Sequence, residues 1–492
     1  MNAPKQAILS LDQGTTSTRA IVFDVQGNII ASHAIEHEQH YPASNHVEHN
    51  AEEIWQNALT VCKHALSQAE NKGYTVKTMG ITNQRETCVA WSKDTGMPLA
   101  PALVWQDKRT ADLCADLNAK HGADVKTKTG LPIDAYFSAT KMAWLLENND
   151  AVKQAQSSNN LCMGTIESYL IYRLTSGNIY ATDATNASRT LLFNIHDMAW
   201  DSDLSSLFKV PVEILPEVKN NIDDFGRTDE ALCGFNLPIQ GCCGDQQSAT
   251  VGQACFEAGM AKSTYGTGNF LMMNIGTEAK SAPEGILTTV LYKTDTETIY
   301  AFEGSSMVCG SAIQWLRDKL ELIETAPETE DLAQNAKPQD ELYVVPGFVG
   351  LGAPHWQAGT KGHIVGLTLD STKADMVRAT LDGLCYQTLD LLTAMETPLT
   401  ELRIDGGMVA NTWFCDRLAD ITDVETVRPK VTETTALGAA YLAAIGAGLI
   451  PDFETVSNQW QVSKTFTPSL DSDKRSKMIK GWQKAIQNCI DL

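Results

Sequence analysis

The sequence predicts an α/β protein of two domains that face one another across a cleft, and three observations carry the prediction. The chain has 492 residues, well beyond the roughly 250–300 at which a single hydrophobic core stops growing. Residues 8–38, opening with "ILSLDQGTTSTRAIVFD" and closing with "NIIASHAIEHE", read as three strand-like runs separated by glycine-centred turns. Residues 260–276, "MAKSTYGTGNFLMMNIG", again break a strand at a Gly-Thr-Gly turn and resume it, which points to an internal structural repeat.

Each further element has its own signal. From Asn50 the pattern becomes helical: Glu52 and Glu53 supply an acidic first turn, and Ile54, Trp55, Ala58, Leu59, Val61, Cys62 and Leu66 form an apolar face. A short strand, "MGITNQ" (79–84), and a hairpin turning at Lys93–Gly96 follow. A meander, then a helix and a strand, requires a mixed sheet. Later, "LRIDGGMVANTWFCDRLAD" (402–420) reads as strand, acid, two glycines and an amphipathic helix. The run "ALGAAYLAAIGAGLI" (436–450) is too short to span a bilayer. It reads as a buried helix capped by Thr434 or Thr435, its small residues admitting a close neighbour. The last thirty residues hold a helix with an ordinary charged face.

Composition narrows the function classes. A formal charge of −22 repels polyanions and disfavours nucleic acid or anionic membrane as partners. The first residues lack the charged and apolar segments of a secretory signal. Twelve cysteines contain no C-x-x-C pair, so neither a zinc ribbon nor a disulfide framework is expected, and a reducing cytoplasm is the simplest location. Five of the ten histidines, His33, His37, His40, His46 and His49, fall within seventeen residues. Strand alternation scatters them over both faces, which predicts a solvated strand and loop rather than a metal site.

Neither a P-loop nor a G-x-G-x-x-G turn after a strand is present. In their order, however, DQGTTS, YGTG and DGG followed by the Ala-rich helix resemble the two phosphate motifs and the adenosine motif of the actin-like ATPase superfamily. Gly14, Thr15, Thr16 and Ser17 would then bring amides and hydroxyls to terminal phosphates, and Asp12 would hold Mg²⁺ through water.

Two further stretches bear on what accepts the phosphate. "TNQRET" (82–87) ends a strand with Arg85 beside Glu86, and "GCCGDQQSAT" (241–250) sets Asp245 and Gln246 after another. A polyol is held by bidentate donors and acceptors while one carboxylate takes the hydroxyl proton. Asp245 suits the base; Arg85, Glu86 and Gln246 suit the clamp; Trp105, Tyr136 and Phe270 suit the carbon face.

From about residue 6 to residue 460 the chain resembles the FGGY carbohydrate kinase family, its glycerol-phosphorylating members above all. The resemblance rests on "LDQGTTSTRAIVFD", "ITNQRETCVAW", "ALVWQDKRT", "AYFSATK", "GDQQSATVGQACF", "KSTYGTGNF", "GSAIQWLRD", "GLGAPHW", "DGGMVAN" and "ETTALGAAYLA". It implies two actin-like (ribonuclease H-like) domains, each a mixed five-stranded sheet flanked by helices. Residues 1–250 would carry the first phosphate loop and the glycerol site, and 251–492 the second phosphate loop and the adenosine site. It implies ATP-dependent conversion of glycerol to sn-glycerol 3-phosphate, with Asp245 as general base. Glycerol would be bound by Arg85, Glu86, Trp105, Tyr136, Asp245, Gln246 and Phe270. The nucleotide would meet Thr15, Thr16, Ser17, Arg19 and Thr267 at its phosphates and Gly310, Gln314, Gly407 and Asn411 around adenosine. A homodimer or homotetramer is expected on the same ground.

The chain also departs from the family. The Gly- and Lys-rich loop that enteric members carry ahead of the base, tied there to sugar-bisphosphate feedback, is replaced by "FGRTDEALCGFNLPIQ" (225–240). Asn269, Ala139 and Met408 stand where they would reshape the acceptor pocket or crowd the adenine. Another polyol or a pentulose remains open as acceptor, and so does an actin-like assembly ATPase with no acceptor.

Overall fold

The computed structural model describes residues 5–337, 341–357 and 359–491. Its N-terminal domain is built on a five-stranded sheet of β1 (Lys5–Gln13), β2 (Ser17–Asp24), β3 (Ile29–Glu36), β4 (Tyr74–Asn83) and β5 (Ile239–Gly244), in the order β5-β4-β1-β2-β3. The meander β1-β2-β3 is antiparallel, and β4 and β5 add in parallel on the other side of β1. Helix α1 (Ala51–Asn71) makes the crossover between β3 and β4. It starts where the sequence predicts, with the Asn50 side chain accepting from the amides of Glu52 and Glu53.

The C-terminal domain repeats this topology with additions. Its sheet comprises β6 (Met260–Tyr265), β7 (Asn269–Gly276), β8 (Leu287–Lys293), β9 (Thr298–Ser306), β10 (Glu401–Asp405), β11 (Thr426–Pro429) and β12 (Val462–Phe466), in the order β8-β9-β7-β6-β10-β11-β12. The inner five, β9-β7-β6-β10-β11, match β3-β2-β1-β4-β5 in order and in strand sense. The repeat suggested by the two glycine turns is therefore a repeat of the whole sheet. One antiparallel strand added at each edge makes seven strands where five were expected.

The Lys93–Gly96 hairpin is only half formed. Its first arm, Cys88–Ser92, joins a separate four-stranded sheet, and beyond the turn only a single bridge, Trp91 to Pro98, forms.

The chain also forms helices α2 (Asp245–Gly252), α3 (Thr412–Thr422), α4 (Thr434–Gly446) and α5 (Ser472–Ile490). Although α4 follows β11 in sequence, it lies against the N-terminal sheet. A Cβ on Gly80 of β4 would stand 2.1 Å from the Ala439 carbonyl oxygen, and one on Gly438 would stand 1.8 Å from that of Ser248. Glycine at both positions lets α4 sit directly on β4 and α2, as its small-residue composition predicts. Its N-cap differs from the expectation. The capping position is Glu433, which makes no side-chain cap bond, and the Thr434 hydroxyl instead donates to Asp405 Oδ2 at 2.7 Å. Buried Asp405 is an acceptor strong enough to draw that hydroxyl off the helix axis.

Candidate active site

Strand register builds the site. Gln13 of β1 pairs with Asn83 of β4, and Asn83 pairs with Gly244 of β5. The three parallel strands therefore end level, and the residues just past them, the Gly14–Ser17 turn, Arg85 with Glu86, and Asp245, converge at one edge. Carboxyl ends of parallel strands are where open α/β sheets hold ligands. In the C-terminal domain Thr264 pairs with Asp405, which brings the 265–268 loop beside Gly406 and Gly407 at the corresponding edge.

At the acceptor end, five charged side chains from both domains interlock. Arg85 is buried and sets Nε 3.1 Å from Asp245 Oδ1, while its Nη2 lies 2.6 Å from Oε1 of Glu303 on β9. Arg189 donates from Nε to Glu86 Oε1 at 2.6 Å and closes on Glu303 at 2.9 Å. Glu86 holds a left-handed backbone, φ 61°, uncommon for a residue with a side chain. The Ser138 hydroxyl bonds its carbonyl at 2.9 Å. Such strain persists where the surroundings over-determine it, which is typical of ligand sites. Burial pushes the Glu86 carboxyl up, with Arg189 and Arg85 opposing. For Glu303 burial acts the same way, but Arg189 and Arg85 outweigh it and hold the carboxyl at about 2.

Asp245 is the member of this group that looks into the cleft, its side chain 28% exposed while Arg85 and Glu303 are each at 2%. It is the first residue of α2, and its Oδ1 accepts from the Gln246 amide at 2.6 Å. Gly244 before it leaves room for Arg85, since a Cβ there would stand 2.9 Å from Arg85 Cγ and Cδ. The Gly244 amide donates to the Thr185 hydroxyl at 2.9 Å. Burial raises the Asp245 pKa, and Arg85 and Lys262 pull against that rise. Trp105 and Tyr136 meet edge to face with ring centroids 5.6 Å apart, and Phe270 is half-buried on β7. The Trp105 indole donates to the Thr15 hydroxyl at 2.9 Å, which ties the aromatic wall to the first glycine turn.

A cavity of about 520 Å³ runs between the domains, lined among others by Arg19, Thr264, Asp405, Gly407, Glu433 and Thr434. Of the predicted nucleotide residues, Arg19 and Gly407 line it. Gly407 faces open space, whereas Gly406 has φ 91° and would collide with Tyr265 backbone if it carried a Cβ. Gly310 seats its amide 2.8 Å from the Gly266 carbonyl oxygen, and Cys309 donates to the Thr267 carbonyl at 2.8 Å. The second glycine loop is thereby pinned to the next helix start. Thr16, Thr267 and Gln314 are exposed, and Thr15 and Ser17 are half-exposed. Asn411 caps α3 by accepting from Phe414 N at 2.8 Å, so its oxygen is already engaged.

Asp12 is bound at Oδ2 by Arg19, at 2.6 Å, and Arg19 also reaches Glu433 at 2.7 Å. No group of three or more His, Cys, Asp or Glu side chains suited to a metal occurs among the described residues.

Two expectations need correction. His37 and His49 are buried, not solvated, and stand edge to face 4.7 Å apart. The His37 amide bonds the Thr16 carbonyl at 3.1 Å, and His49 bonds Gln39, whose own amide reaches the Thr15 carbonyl at 3.0 Å. The pair backs the first glycine turn; burial holds the His49 pKa at about 3, a neutral ring. Asn269 points into the C-terminal core, accepting from Ser263 at 2.6 Å and donating to Thr388 at 3.1 Å, so it does not shape the acceptor pocket. Arg189, Glu303 and Lys262 were not anticipated. The signal available was a charged residue inside an apolar strand, as in "IYAFEGSS" and "GMAKSTY".

Residues 7–252 match the model of the FGGY family of carbohydrate kinases, N-terminal domain, and residues 261–447 match the C-terminal domain of that family. A glycerol kinase of Rhodospirillum centenum is 49% identical over 488 residues, 98% of either chain. One from Alcanivorax borkumensis is 50% identical over 484 residues, 97% of either chain. Among solved structures, Plasmodium falciparum glycerol kinase with ADP superposes with a TM-score of 0.93 at 36% identity, over 99% of this chain and 98% of that one.

Proposed function

Because the chain belongs to the FGGY family of carbohydrate kinases, we propose that it transfers the terminal phosphoryl group of ATP to glycerol, giving sn-glycerol 3-phosphate and ADP. The observation that carries the reading is the convergence, at one sheet edge, of the Asp245 carboxylate held 3.1 Å from Arg85 with the Gly14–Ser17 turn. Relatives at 49% and 50% identity over nearly the whole chain support glycerol as the acceptor.

In this reading Arg85, Glu86 and Gln246 hold the acceptor hydroxyls, and Trp105, Tyr136 and Phe270 cover its carbon face. Asp245 takes the proton of the terminal hydroxyl as that oxygen attacks the γ-phosphorus and the bond to the β-phosphate oxygen breaks. The raised pKa of Asp245 makes it a stronger base than an exposed aspartate. Thr15, Thr16, Ser17, Arg19 and Thr267 face the phosphates; Gly310, Gln314, Gly407 and Asn411 surround adenosine. Mg²⁺ belongs behind the phosphates with Asp12, where it would neutralise their charge. The division near residue 250, a cytoplasmic location and a homodimer or homotetramer belong to the same proposal. No helix among the described residues is long and apolar enough to cross a membrane, and all twelve cysteines are free and buried.

The test is the initial rate of ADP release with Mg-ATP across glycerol, dihydroxyacetone, erythritol, ribitol, D-xylulose and D-ribulose, with a no-acceptor control. The glycerol rate is expected to stand far above the rest. A preference for a longer acceptor would move the substrate, and turnover indifferent to all of them would overturn the kinase reading.

A further inference from the structure

Lys262 is a fully buried lysine on β6, two residues before Thr264 of the cavity wall. Its ammonium bonds Gln246 Oε1 across the domain interface and the Thr264 hydroxyl at 3.0 Å, with the Phe270 carbonyl at 3.5 Å. None of these partners carries a charge. The charged groups around it are Asp405 on β10, Asp245 on α2, Arg85 beyond β4 and Glu303 on β9. Lys262 thus joins the second glycine loop, the carbon-face residue Phe270 and the residue next to the base. A buried ammonium is costly to desolvate, and the carboxylates of Asp405, Asp245 and Glu303 offset that cost here.

We propose that Lys262 is a positioning residue for phosphoryl transfer: it locks the Gln246 amide and presents positive charge to Asp245 from the opposite domain. The inference rests on the kinase reading above. An ammonium only donates, so its bond to Oε1 fixes which way the Gln246 amide is turned and leaves Nε2 as the donor for an acceptor hydroxyl. Its charge lowers the cost of keeping Asp245 ionised before the proton arrives. Because Lys262 reaches Gln246 from the other domain, the clamp is complete only when the domains are closed, which couples closure to acceptor alignment. Burial lowers the Lys262 pKa to about 8, against the pull of Asp405 and Asp245, so the ammonium is lost on the alkaline side of neutrality.

The test compares Lys262→Met and Lys262→Arg with the wild-type enzyme, reading kcat, KM for glycerol, nucleotide affinity and the pH profile of kcat. Loss of one charge-assisted bond predicts a fall of about 30-fold in kcat for Lys262→Met. The glycerol KM should rise and ADP affinity should fall far less than kcat, since Lys262 meets the nucleotide cavity only through the Thr264 hydroxyl. Lys262→Arg, whose guanidinium does not titrate, should recover part of kcat and lack the alkaline decline expected of the wild type. Wild-type kcat in Lys262→Met would overturn the proposal. If that variant does not fold, an alkaline limb in Lys262→Arg unchanged from wild type overturns it instead. A wild-type enzyme idle on glycerol would count against the functional reading, and the two variants would then be compared on whichever acceptor is turned over.

Discussion

Arg85 of the N-terminal domain places Nη2 2.6 Å from Oε1 of Glu303 in the C-terminal domain, both side chains being 2% exposed. A buried ion pair thus crosses the cleft directly beneath the candidate base, and Arg189 supports it from the other side of Glu303 at 2.9 Å. The arrangement makes Arg85 answer to both domains, and several measurable consequences follow from the charges involved.

Glu303→Gln leaves two buried guanidinium groups short of a counter-charge, and breaking a buried pair of this kind costs about 3–5 kcal/mol. The sign of the pH dependence is set by the depressed carboxyl. Its pKa of about 2 lies below the ordinary 4.5, so its stabilisation is complete above that ordinary value and is lost as pH falls toward the folded one. Denaturant unfolding should show Glu303→Gln less stable at neutral pH and less sensitive to acid in that window. Equal stability at neutral pH would remove the pair from the account.

Asp245 must be ionised to accept a proton, and burial raises its pKa. The kcat/KM for glycerol should therefore fall on the acid side with a midpoint above the ordinary aspartate value of about 3.9. Removing a nearby cation disfavours the carboxylate, so Lys262→Met should move that midpoint further up. A profile that stays flat down to about pH 4 would contradict the assignment.

Gly438 stands where a Cβ would come within 1.8 Å of the Ser248 carbonyl oxygen. Gly438→Val has to push α4 off α2, the helix that Asp245 begins. Overpacking of this kind costs typically about 1–3 kcal/mol, and the shift should also lower kcat because it moves the base. Thermal unfolding and steady-state rates on the same preparation check both. A variant with wild-type values would mean that α4 and α2 are not in contact.

What could be read from the sequence was local and periodic. The three-strand meander, the Asn50-capped helix and the repeat of the glycine turn are short-range signals, and the sheets contain them in register. Placement of α4 against the other domain's sheet was legible only as a surplus of Ala and Gly, because composition says that something comes close but not what. Arg85 and Asp245 were found because each follows a strand end. Glu303 lies 218 positions from Arg85 and pairs with it through tertiary structure alone, so no spacing rule reaches it. The His37 and His49 pair was misread for a related reason. Strand alternation separates neighbours on one strand, but His49 lies on another segment, Glu48–His49, brought alongside by the fold.

The most direct test of the account is the turnover of Asp245→Asn in Mg-ATP and saturating glycerol, measured beside its ATP affinity. The substitution keeps the size of the side chain and removes its ability to take a proton. With Asp245 as the base, kcat should fall by at least about 10²-fold with ATP binding nearly unchanged. Near-normal turnover in that variant would contradict Asp245 as the base and, with it, the central role given to the Arg85–Glu303 bridge that holds it.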